Sequence, residues 1–325
     1  MSEPTRLGTG QDLPTVQRSR PEVRGRAGFD PAFLAPGPLV PVPLPVAAAG
    51  RSAPEAVVLP YTHFSVVLRP DRRLAAATVV GIDGARLRDV DREGSTWWLD
   101  PRVPQAQQAG EELYARNDLD RGHLVRRRDP VWGTAEEAER ANADTFCYTN
   151  AAPQHAAFNQ SPQLWNGLED LVLAHAQVHA QRLVVVTGPV LDDADPVYRG
   201  VQVPLRFYKV VAHVRSGRDL RGGQAPAGLA ASAFVLDQAR LVERLLAAEG
   251  AGARAAGDAG AGGFDPGEFA TYQVPVGDVA TLTGLDLGPL VAADRMPVQA
   301  SSAPGGWETA LAGWQLLAGP ADVGW

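Results

Sequence analysis

The alternation of apolar and polar positions predicts a chain built mainly of β-strands. Residues 61–68 alternate as a half-buried strand does, and residues 74–82 form a second apolar run. Asp83-Gly84 follows this run and is typical of a hairpin turn, so we expect the chain to bend back there. Similar patterns predict further strands at residues 97–100, 145–149, 183–186, 206–214 and 269–274. The strand at 183–186 is expected to end at Gly188-Pro189.

A helical period appears mainly after residue 161. Ser161-Pro162 predicts a helix that continues to about residue 181, because serine suits the N-cap and proline the first helical position. Its apolar positions recur at helical spacing: Leu164, Leu168, Leu171, Val172 and Val178. Residues 233–248 predict a strand leading into a helix, and residues 279–285 a short helix. Since strands and helices do not alternate regularly, the pattern favours a mixed α+β domain over a parallel sheet.

The two ends of the chain lack such periodicity. Residues 1–56 contain several arginines and then five prolines between Pro36 and Pro45, which predicts an extended or disordered arm that wraps the domain or remains in solvent. Residues 250–263 form a Gly/Ala-rich loop. The last segment, 291–325, is rich in loops and scattered tryptophans, and no role follows from its sequence.

Composition excludes several classes of protein. A formal net charge of −7 argues against a protein that simply coats nucleic acid, although a local basic patch remains compatible with it. The single Cys147 excludes an internal disulfide framework and a cysteine metal cage, and its apolar surroundings predict a buried thiol. The sequence shows no signal peptide and no apolar run long enough to span a membrane.

Candidate chemistry is concentrated in Asp120-Arg121-Gly122-His123-Leu124 and in three residues downstream, Asn150, Asn159 and Glu169. His123 can act as a general base, because an imidazole titrates near neutral pH. Arg121 can bind a phosphate oxygen through its guanidinium, and Gly122 would let a substrate backbone approach closely.

The oxygen atoms of Asn159 and Glu169 suit Mg²⁺, which keeps several waters and accepts few protein ligands. Each residue alone has a plainer interpretation. His123 could be a turn histidine, Asn150 could end a strand, Asn159 could cap a turn, and Glu169 could be an exposed helix residue. Only the joint pattern favours chemistry.

That joint pattern resembles a known family. Asp120-Arg121-Gly122-His123 is similar to the D-R-G-H signature of the DNA/RNA non-specific endonucleases, which are ββα-metal (His-Me finger) enzymes and include secreted bacterial nucleases and mitochondrial endonuclease G. Residues 144–154 resemble the family's strand ending in N-x-x-P-Q. Asn159-Gln160, Trp165 and Leu168-Glu169 match its N-Q-x-x-x-x-W-x-x-L-E pattern. The resemblance covers residues 57–290, which we take as the nuclease domain.

The resemblance implies a fold, an activity and a set of roles. It implies an α+β, ββα-metal nuclease fold with a central, mainly antiparallel sheet flanked by helices. The expected enzyme is Mg²⁺-dependent, with Mn²⁺ as an alternative metal, and cleaves DNA and RNA to leave 5′-phosphate ends. His123 would be the general base, Asn159 the direct metal ligand, and Glu169 a ligand of the metal's water shell. Arg121 would stabilise phosphate charge, and Asn150 would help position the site. Asp120 would be a supporting carboxylate.

One departure concerns the supporting cation. Some secreted members carry an arginine four residues after the motif glutamate, where this chain has Leu173. The cation is then either absent or supplied from elsewhere, and the candidates are Arg126, Arg127, Arg128 and Arg199. The three consecutive arginines suit phosphate contacts without sequence readout, against the plainer interpretation of a solvated turn.

The alternative function is a nuclease-derived module that binds nucleic acid without turnover. DNA and RNA are the expected partners, no membrane contact is expected, and a homodimer and an inhibitor or immunity protein are further candidate partners. A nuclease without a signal peptide would endanger the DNA of its host. We therefore expect either a cytoplasmic enzyme held in a regulated state or export by a signal-less route.

Overall fold

The computed structural model describes residues 23–48, 50–92, 96–160, 165–215, 228–250, 270–296 and 313–317. The strands in this part of the chain are β1 Val57–Pro60, β2 Phe64–Arg69, β3 Leu74–Asp83, β4 Leu119–His123, β5 Ala151–His155, β6 Arg182–Val190, β7 Val197–Tyr198, β8 Val201–Gln202, β9 Arg206–Arg215, β10 Gly228–Asp237, β11 Ala270–Val274 and β12 Gln315–Leu316. The helices are α1 Glu111–Tyr114, α2 Ala135–Thr145, α3 Ala156–Asn159, α4 Trp165–Val178, α5 Ala239–Gly250, α6 Val276–Thr283 and α7 Gly288–Ala292.

A central antiparallel sheet organises these elements. Its eight strands follow the order β1-β2-β3-β6-β9-β10-β11-β12, and every neighbouring pair is antiparallel. Two short antiparallel ribbons, β4-β5 and β7-β8, are separate from it. The fold is therefore mixed α+β with a central antiparallel sheet flanked by helices, as the sequence predicts.

The two faces of the sheet carry two hydrophobic clusters, because successive side chains of a strand point to opposite faces. Val185 and Phe207 belong to the cluster that also contains α4, α5 and the β4-β5 ribbon. Val186 and Tyr208 belong to the other cluster, which includes α6 and the segment that precedes β1. The candidate site therefore lies on one face of the sheet only.

The expected arm contributes to the core, which corrects the predicted start of the folded part near residue 57. Phe29, Phe33, Leu34 and Val40 are buried against the second face of the sheet. Residues 31–37 form consecutive turns rather than an extended chain, and residues 26–48 form isolated bridges but no regular helix or strand. The apolar side chains of this segment nevertheless remove surface from water, so the packed body includes residues well before 57.

The hairpin predicted at Asp83-Gly84 is wrong. β3 pairs with β2 and with β6, which is distant in sequence, and not with the strand that follows it along the chain. Gly84 is required by packing, since a Cβ there would lie 1.9 Å from the carbonyl oxygen of Ala176 in α4. The glycine thus marks close contact with a helix rather than a two-residue turn.

The strand predicted at residues 145–149 is also wrong. Thr134 and Glu137 form a reciprocal capping box that starts α2, and this helix continues to Thr145. Cys147 then forms a single parallel bridge to Trp98, and residues 148–150 form a 3₁₀ turn. Aromatic content made this segment resemble a strand, but β5 begins only after Asn150.

Other predicted boundaries shift by a few residues. β6 continues through Gly188-Pro189 to Val190, because its pairing with β3 ends at Thr187 and Pro189 needs to pair only with β9. The predictions that gave β9, β10, α5 and β11 are confirmed, and α6 begins at Val276 rather than at 279. Helix α4 is confirmed from Trp165, whereas its predicted start at Ser161-Pro162 lies outside the described residues. Of the predicted loop at 250–263, Gly250 is the last residue of α5, and residues 251–263 lie outside the described residues.

Candidate active site

The β4-β5 ribbon presents the central motif in two directions. Asp120 pairs with Gln154, Gly122 with Ala152, and His123 with Ala151. Strand alternation therefore places Arg121 and His123 on one face of the ribbon, and Asp120 and Gly122 on the other. The side chains of the motif therefore face two different environments, one on each face of the ribbon.

His123 lies at the end of β4 in an aromatic pocket. Its ring centroid is 4.8 Å from that of Trp97 and 5.1 Å from that of Phe146. Its Nε2 atom is buried and has no hydrogen-bond partner among the described residues. Burial, followed by the charges of Arg92 and Arg127, lowers the pKa of His123 to about 3. The imidazole is therefore neutral near pH 7, with one ring nitrogen unused.

Arg92 is a residue that sequence reasoning missed. It is exposed, yet its charge is among the causes that lower the pKa of His123. Arg92 belongs to none of the motifs, and only its place in the polar approach to Trp97 could have drawn attention to it. The structure adds it to Arg127 as a cation acting on the imidazole.

Asp120 holds the side chain of Asn159. The Nδ2 atom of Asn159 donates to Asp120 Oδ2 at 3.0 Å, and Gln160 Nε2 donates to the same oxygen at 2.9 Å. A carboxylate only accepts hydrogen bonds, so it fixes which end of the Asn159 amide faces it. The amide oxygen of Asn159 is consequently the end available to a cation.

Asn150 is fully buried and binds the backbone around His123. Its Oδ1 accepts from Val125 N at 2.9 Å, and its Nδ2 donates to the carbonyl oxygens of Val125 and Thr145 at 3.0 Å each. The backbone nitrogen of Leu124 also donates to the carbonyl oxygen of Asn150. These bonds join the end of β4 to the end of α2, which is the geometry of a positioning residue.

Glu169 lies in a buried ionic cluster. Lys209 Nζ lies 3.4 Å from Glu169 Oε1 and 3.1 Å from Thr187 Oγ1, and Arg126 Nε lies 3.6 Å from Glu169 Oε2. Burial raises the pKa of Glu169 to about 7, against the opposing charges of Lys209 and Arg126. Burial likewise raises the pKa of Asp129 to about 6. Lys209, the only lysine of the chain, is a second residue that sequence reasoning missed.

Arg121 is engaged by a carboxylate in this structure. Its Nη2 atom donates to both carboxylate oxygens of Glu111 in α1, at 2.6 Å to Oε1. The hydroxyl of Tyr148 donates to the same carboxylate and accepts from Arg121 Nε at 3.4 Å. The predicted phosphate-binding guanidinium thus already holds an anionic partner.

Gly122 does not face a substrate, contrary to the sequence-based expectation. A Cβ at this position would lie 2.1 Å from Oε1 of Gln154, whose side chain covers it. Gln154 is fully buried, and neither of its amide atoms finds a hydrogen-bond partner among the described residues. The glycine is needed for packing within the ribbon.

The remaining predicted cations have different surroundings. Arg126 is half-buried and pairs with Glu169 and Asp170. Arg127 donates to Val90 O at 2.6 Å and Asn142 Oδ1 at 3.0 Å, and exposed Arg128 lies 3.7 Å from Asp89. Arg199 donates to the carbonyl oxygens of Glu112 and Ala115 at the end of α1. Of these cations, Arg127 is the one whose charge acts on His123, while Arg199 supports α1.

The donor set fits a hydrated hard cation. Within the described ranges, no group of three or more His, Cys, Asp or Glu side chains could hold a metal ion. Mg²⁺ needs no such cage, since it accepts one or two protein oxygens and keeps waters. The Asn159 amide oxygen, oriented by Asp120, meets this requirement. Glu169 is less simply suited, because two cations already compensate its charge.

Comparison with known proteins gives the family. Residues 45–294 match the family model described as DNA/RNA non-specific endonuclease. This chain belongs to that family. The match confirms the resemblance inferred from Asp120-Arg121-Gly122-His123 and the downstream motifs. It also includes residues before 57, in agreement with the packing of that segment.

Two curated relatives and one solved structure illustrate the similarity. The chain is 42% identical over 205 residues to "Uncharacterized protein y4fB" of Sinorhizobium fredii (strain NBRC 101917 / NGR234), covering 58% of this chain and 30% of that protein. It is 30% identical over 155 residues to mitochondrial endonuclease G of Homo sapiens, covering 44% of this chain and 50% of that protein. These alignments span at most half the length of either relative. A structure of the EndoG/EndoGI complex aligns with a TM-score of 0.48 and 19% identity, covering 72% of this chain and 86% of that chain.

Among the described residues, no helix is long and apolar enough to cross a bilayer.

Proposed function

We propose that this protein is a Mg²⁺-dependent endonuclease that hydrolyses phosphodiester bonds in DNA and RNA and leaves 5′-phosphate ends. The observation that carries the proposal is the buried Nε2 atom of His123, which makes no hydrogen bond to any described residue. Buried polar atoms are almost always paired, so an unpaired one needs an explanation, and a catalytic role supplies one here. We therefore assign this nitrogen as the proton acceptor for an attacking water.

The surroundings of His123 keep its imidazole in the neutral form, which can accept a proton. Its pKa of about 3 keeps the ring neutral, but it also makes the imidazole a weak base in the free protein. A substrate phosphate near the ring adds negative charge, which stabilises the imidazolium and raises the pKa. The base thus strengthens when substrate binds, which limits proton transfer to the bound state.

The metal site is assigned to Asn159, with Asp120 as its positioning residue. Asp120 fixes the Asn159 amide so that its oxygen is presented to the cation. When bound there, Mg²⁺ supplies Lewis-acid neutralisation of charge on the scissile phosphate. Glu169 remains the candidate for the metal's water shell. Burial raises the pKa of Glu169 to about 7 against the charge of Lys209, so its carboxyl group changes between the protonated and the ionised form near neutral pH.

We assign the binding of substrate phosphates to the cations on the His123 side of the ribbon. Arg121 shares that face with His123, and Arg92 and Arg127 act on its imidazole. Contacts to phosphate oxygens provide affinity without reading base edges, which suits cleavage of both DNA and RNA. Water attacks phosphorus as His123 accepts its proton. The bond between phosphorus and the 3′ oxygen breaks, that oxygen takes a proton from solvent water, and the phosphate remains on the 5′ oxygen of the other fragment.

Plasmid nicking with and without EDTA tests the proposal. Wild-type protein should convert supercoiled plasmid to nicked and linear forms with Mg²⁺, and EDTA should abolish this. His123→Ala should lose at least about 10²-fold in rate, the usual contribution of a general base. His179→Ala is the matched control, because His179 is exposed on the chain after α4 and should leave the rate unchanged.

The binding-module alternative gives a different result in the same assays. A protein without turnover would shift DNA in a gel with strong salt dependence but would not nick it, and His123→Ala would behave as wild type. That outcome would reject the endonuclease proposal. The homodimer, an inhibitor or immunity protein, and the compartment stay predictions.

A further inference from the structure

Arg121 and Glu111 form an ion pair at the proposed phosphate-binding position. Both oxygens of the Glu111 carboxylate accept from Arg121 Nη2, and the Tyr148 hydroxyl donates to one of them. Neither partner is in the deep core, since the side chain of Arg121 is 18% exposed and that of Glu111 is 33% exposed. The pair therefore lies where a ligand from solvent can reach it.

A carboxylate and a phosphate compete for the same atoms of a guanidinium. Both are anions that accept two hydrogen bonds from the planar donor group of arginine. The donors that Arg121 offers to Glu111 therefore cannot serve a phosphate at the same time. Burial acts to lower the pKa of Arg121, but the hydrogen bonds to Glu111 and Tyr148 and their charges outweigh it, so the pKa is raised in the pair. Arginine also keeps its charge beside a phosphate, because its guanidinium is not deprotonated in proteins.

We propose that Glu111 is a positioning residue that occupies Arg121 in the substrate-free protein and is displaced by a phosphate of the nucleic acid. This inference rests on the proposed function, because it takes Arg121 as a phosphate ligand. It assigns to Glu111 a role in setting affinity: each binding event exchanges an internal carboxylate for an external phosphate. Glu111 then keeps Arg121 oriented while the site is empty and weakens binding of short or poorly matched anions.

The salt dependence of binding gives this exchange a measurable signature. Binding of a phosphate by a free cation releases condensed counterions and steepens the decrease in affinity with salt. In the wild type, the displaced Glu111 carboxylate takes up a cation as the phosphate is bound, which offsets about one released ion. Removing the charge of Glu111 should therefore steepen the dependence of log Kd on log salt by about one unit.

The first experiment measures binding in the absence of turnover. In a His123→Ala background, the Kd for a short duplex DNA is measured at several salt concentrations, with and without Glu111→Gln. We expect Glu111→Gln to lower Kd by about threefold or more at low salt and to steepen the salt slope, since removal of an ion pair of this exposure changes the free energy only modestly. Tm measured in parallel shows that both proteins are folded.

The matched control is Glu112→Gln. Glu112 is the next residue of α1 and carries the same charge, but it pairs with Arg73 and with the backbone nitrogen of Gly110. Glu112→Gln changes the net charge of the protein by the same amount as Glu111→Gln but removes no contact of Arg121. A Kd that falls equally in both variants would show a general charge effect and would overturn the proposal, as would an unchanged or raised Kd in Glu111→Gln.

Steady-state kinetics of proteins that retain His123 distinguish a role of Glu111 in substrate affinity from a role in supporting the fold. Glu111→Gln should lower KM while kcat changes by less than about twofold, because Tyr148 and the ring of Tyr114, 5.8 Å from the guanidinium, still contact Arg121. Loss of kcat with unchanged KM would reject the exchange and leave Glu111 a structural support. If no variant cleaves DNA, the proposed function fails, whereas the binding arm still decides the role of Glu111.

Discussion

The side-chain amide of Asn159 donates a hydrogen bond to the carboxylate of Asp120 at 3.0 Å, and this bond links the proposed metal ligand to the strand that carries His123. In the proposed metal site, Asp120 would therefore orient the ligand without being a ligand itself. In known metal sites, partners that orient a ligand contribute about 10- to 100-fold to metal affinity or activity. The first prediction follows from this relationship.

Asp120→Asn should weaken the binding of Mg²⁺ at the proposed site rather than abolish the chemistry. With the carboxylate gone, the Asn159 amide can turn, and the Mg²⁺ concentration for half-maximal nicking should rise about tenfold. Activity should recover at high Mg²⁺. The comparison is Asp118→Asn, an exposed acid two residues earlier that should titrate as wild type. If saturating Mg²⁺ does not restore the rate, Asp120 has a role in the chemical step.

Gly122→Ala should destabilise the protein through its contact with Gln154. The added Cβ would lie 2.1 Å from Gln154 Oε1, so the free energy of unfolding should fall by about 1–3 kcal/mol, the usual cost of overpacking. The double variant Gly122→Ala/Gln154→Ala removes the obstructing amide and should recover part of this loss. Urea denaturation of the four proteins in this cycle measures the coupling. Strictly additive effects would contradict the assigned contact.

Glu169 should make stability fall as pH rises from about 4.5 to about 7. Its pKa is near 7 in the folded protein and 4.5 ordinarily, so between these values the folded state holds a proton that the unfolded state has lost. The stabilisation is complete below pH 4.5 and is lost as pH approaches 7, by at most about 3 kcal/mol.

Thermal unfolding of wild type and Glu169→Gln with EDTA, measured from pH 5 to pH 8, checks this prediction. The difference in stability between the two proteins should shift in favour of Glu169→Gln as pH rises. Glu243→Gln, an exposed substitution on α5, should keep a constant difference from wild type over the same range. A difference that is also constant for Glu169→Gln would mean that its pKa is not raised.

Arg26 should contribute strongly to stability, although it lies in the segment expected to be a loose arm. Its Nε and Nη2 atoms donate to the two carboxylate oxygens of Asp144 at 2.9 and 3.0 Å, and Asp144 is fully buried. Arg26→Ala leaves that charge unpaired, and a loss of about 3–5 kcal/mol is expected in urea denaturation. Arg24→Ala, which removes an exposed arginine two residues earlier, should change stability by less than about 0.5 kcal/mol.

A second variant separates the ion pair from simple side-chain loss. Arg26→Ala/Asp144→Asn removes the unpaired charge together with the arginine and should be more stable than Arg26→Ala alone. Equal stabilities of the single and double variants would show that Arg26 acts through packing. Both results bear on where the folded body begins, because they measure how firmly residues 23–48 are attached.

The sequence reached the family and the chemical type of the site because both depend on local order. Residue types at fixed spacing in β4, β5, α3 and α4 are visible without a structure, and the period of apolar residues found most of the central sheet. It failed at residues 145–149 and at Asp83-Gly84, where local propensity was overridden. The capping box of Thr134 and Glu137 is a local signal that starts helix α2, and the strand prediction at 145–149 overlooked it. The contact of Gly84 with helix α4 is tertiary and could not be read from the sequence.

The tertiary structure decided which partner each residue of the motif contacts. Strand alternation by itself determines only that Arg121 and His123 share a face. Only the folded chain shows that Asp120 holds Asn159, that Gly122 is covered by Gln154, and that Arg121 binds Glu111. Only the folded chain brings Lys209 Nζ to 3.4 Å from Glu169 Oε1 and buries His123 so that its pKa falls. The physical reason is that burial and charge pairing arise between residues distant in sequence, whereas spacing records only neighbours along the chain.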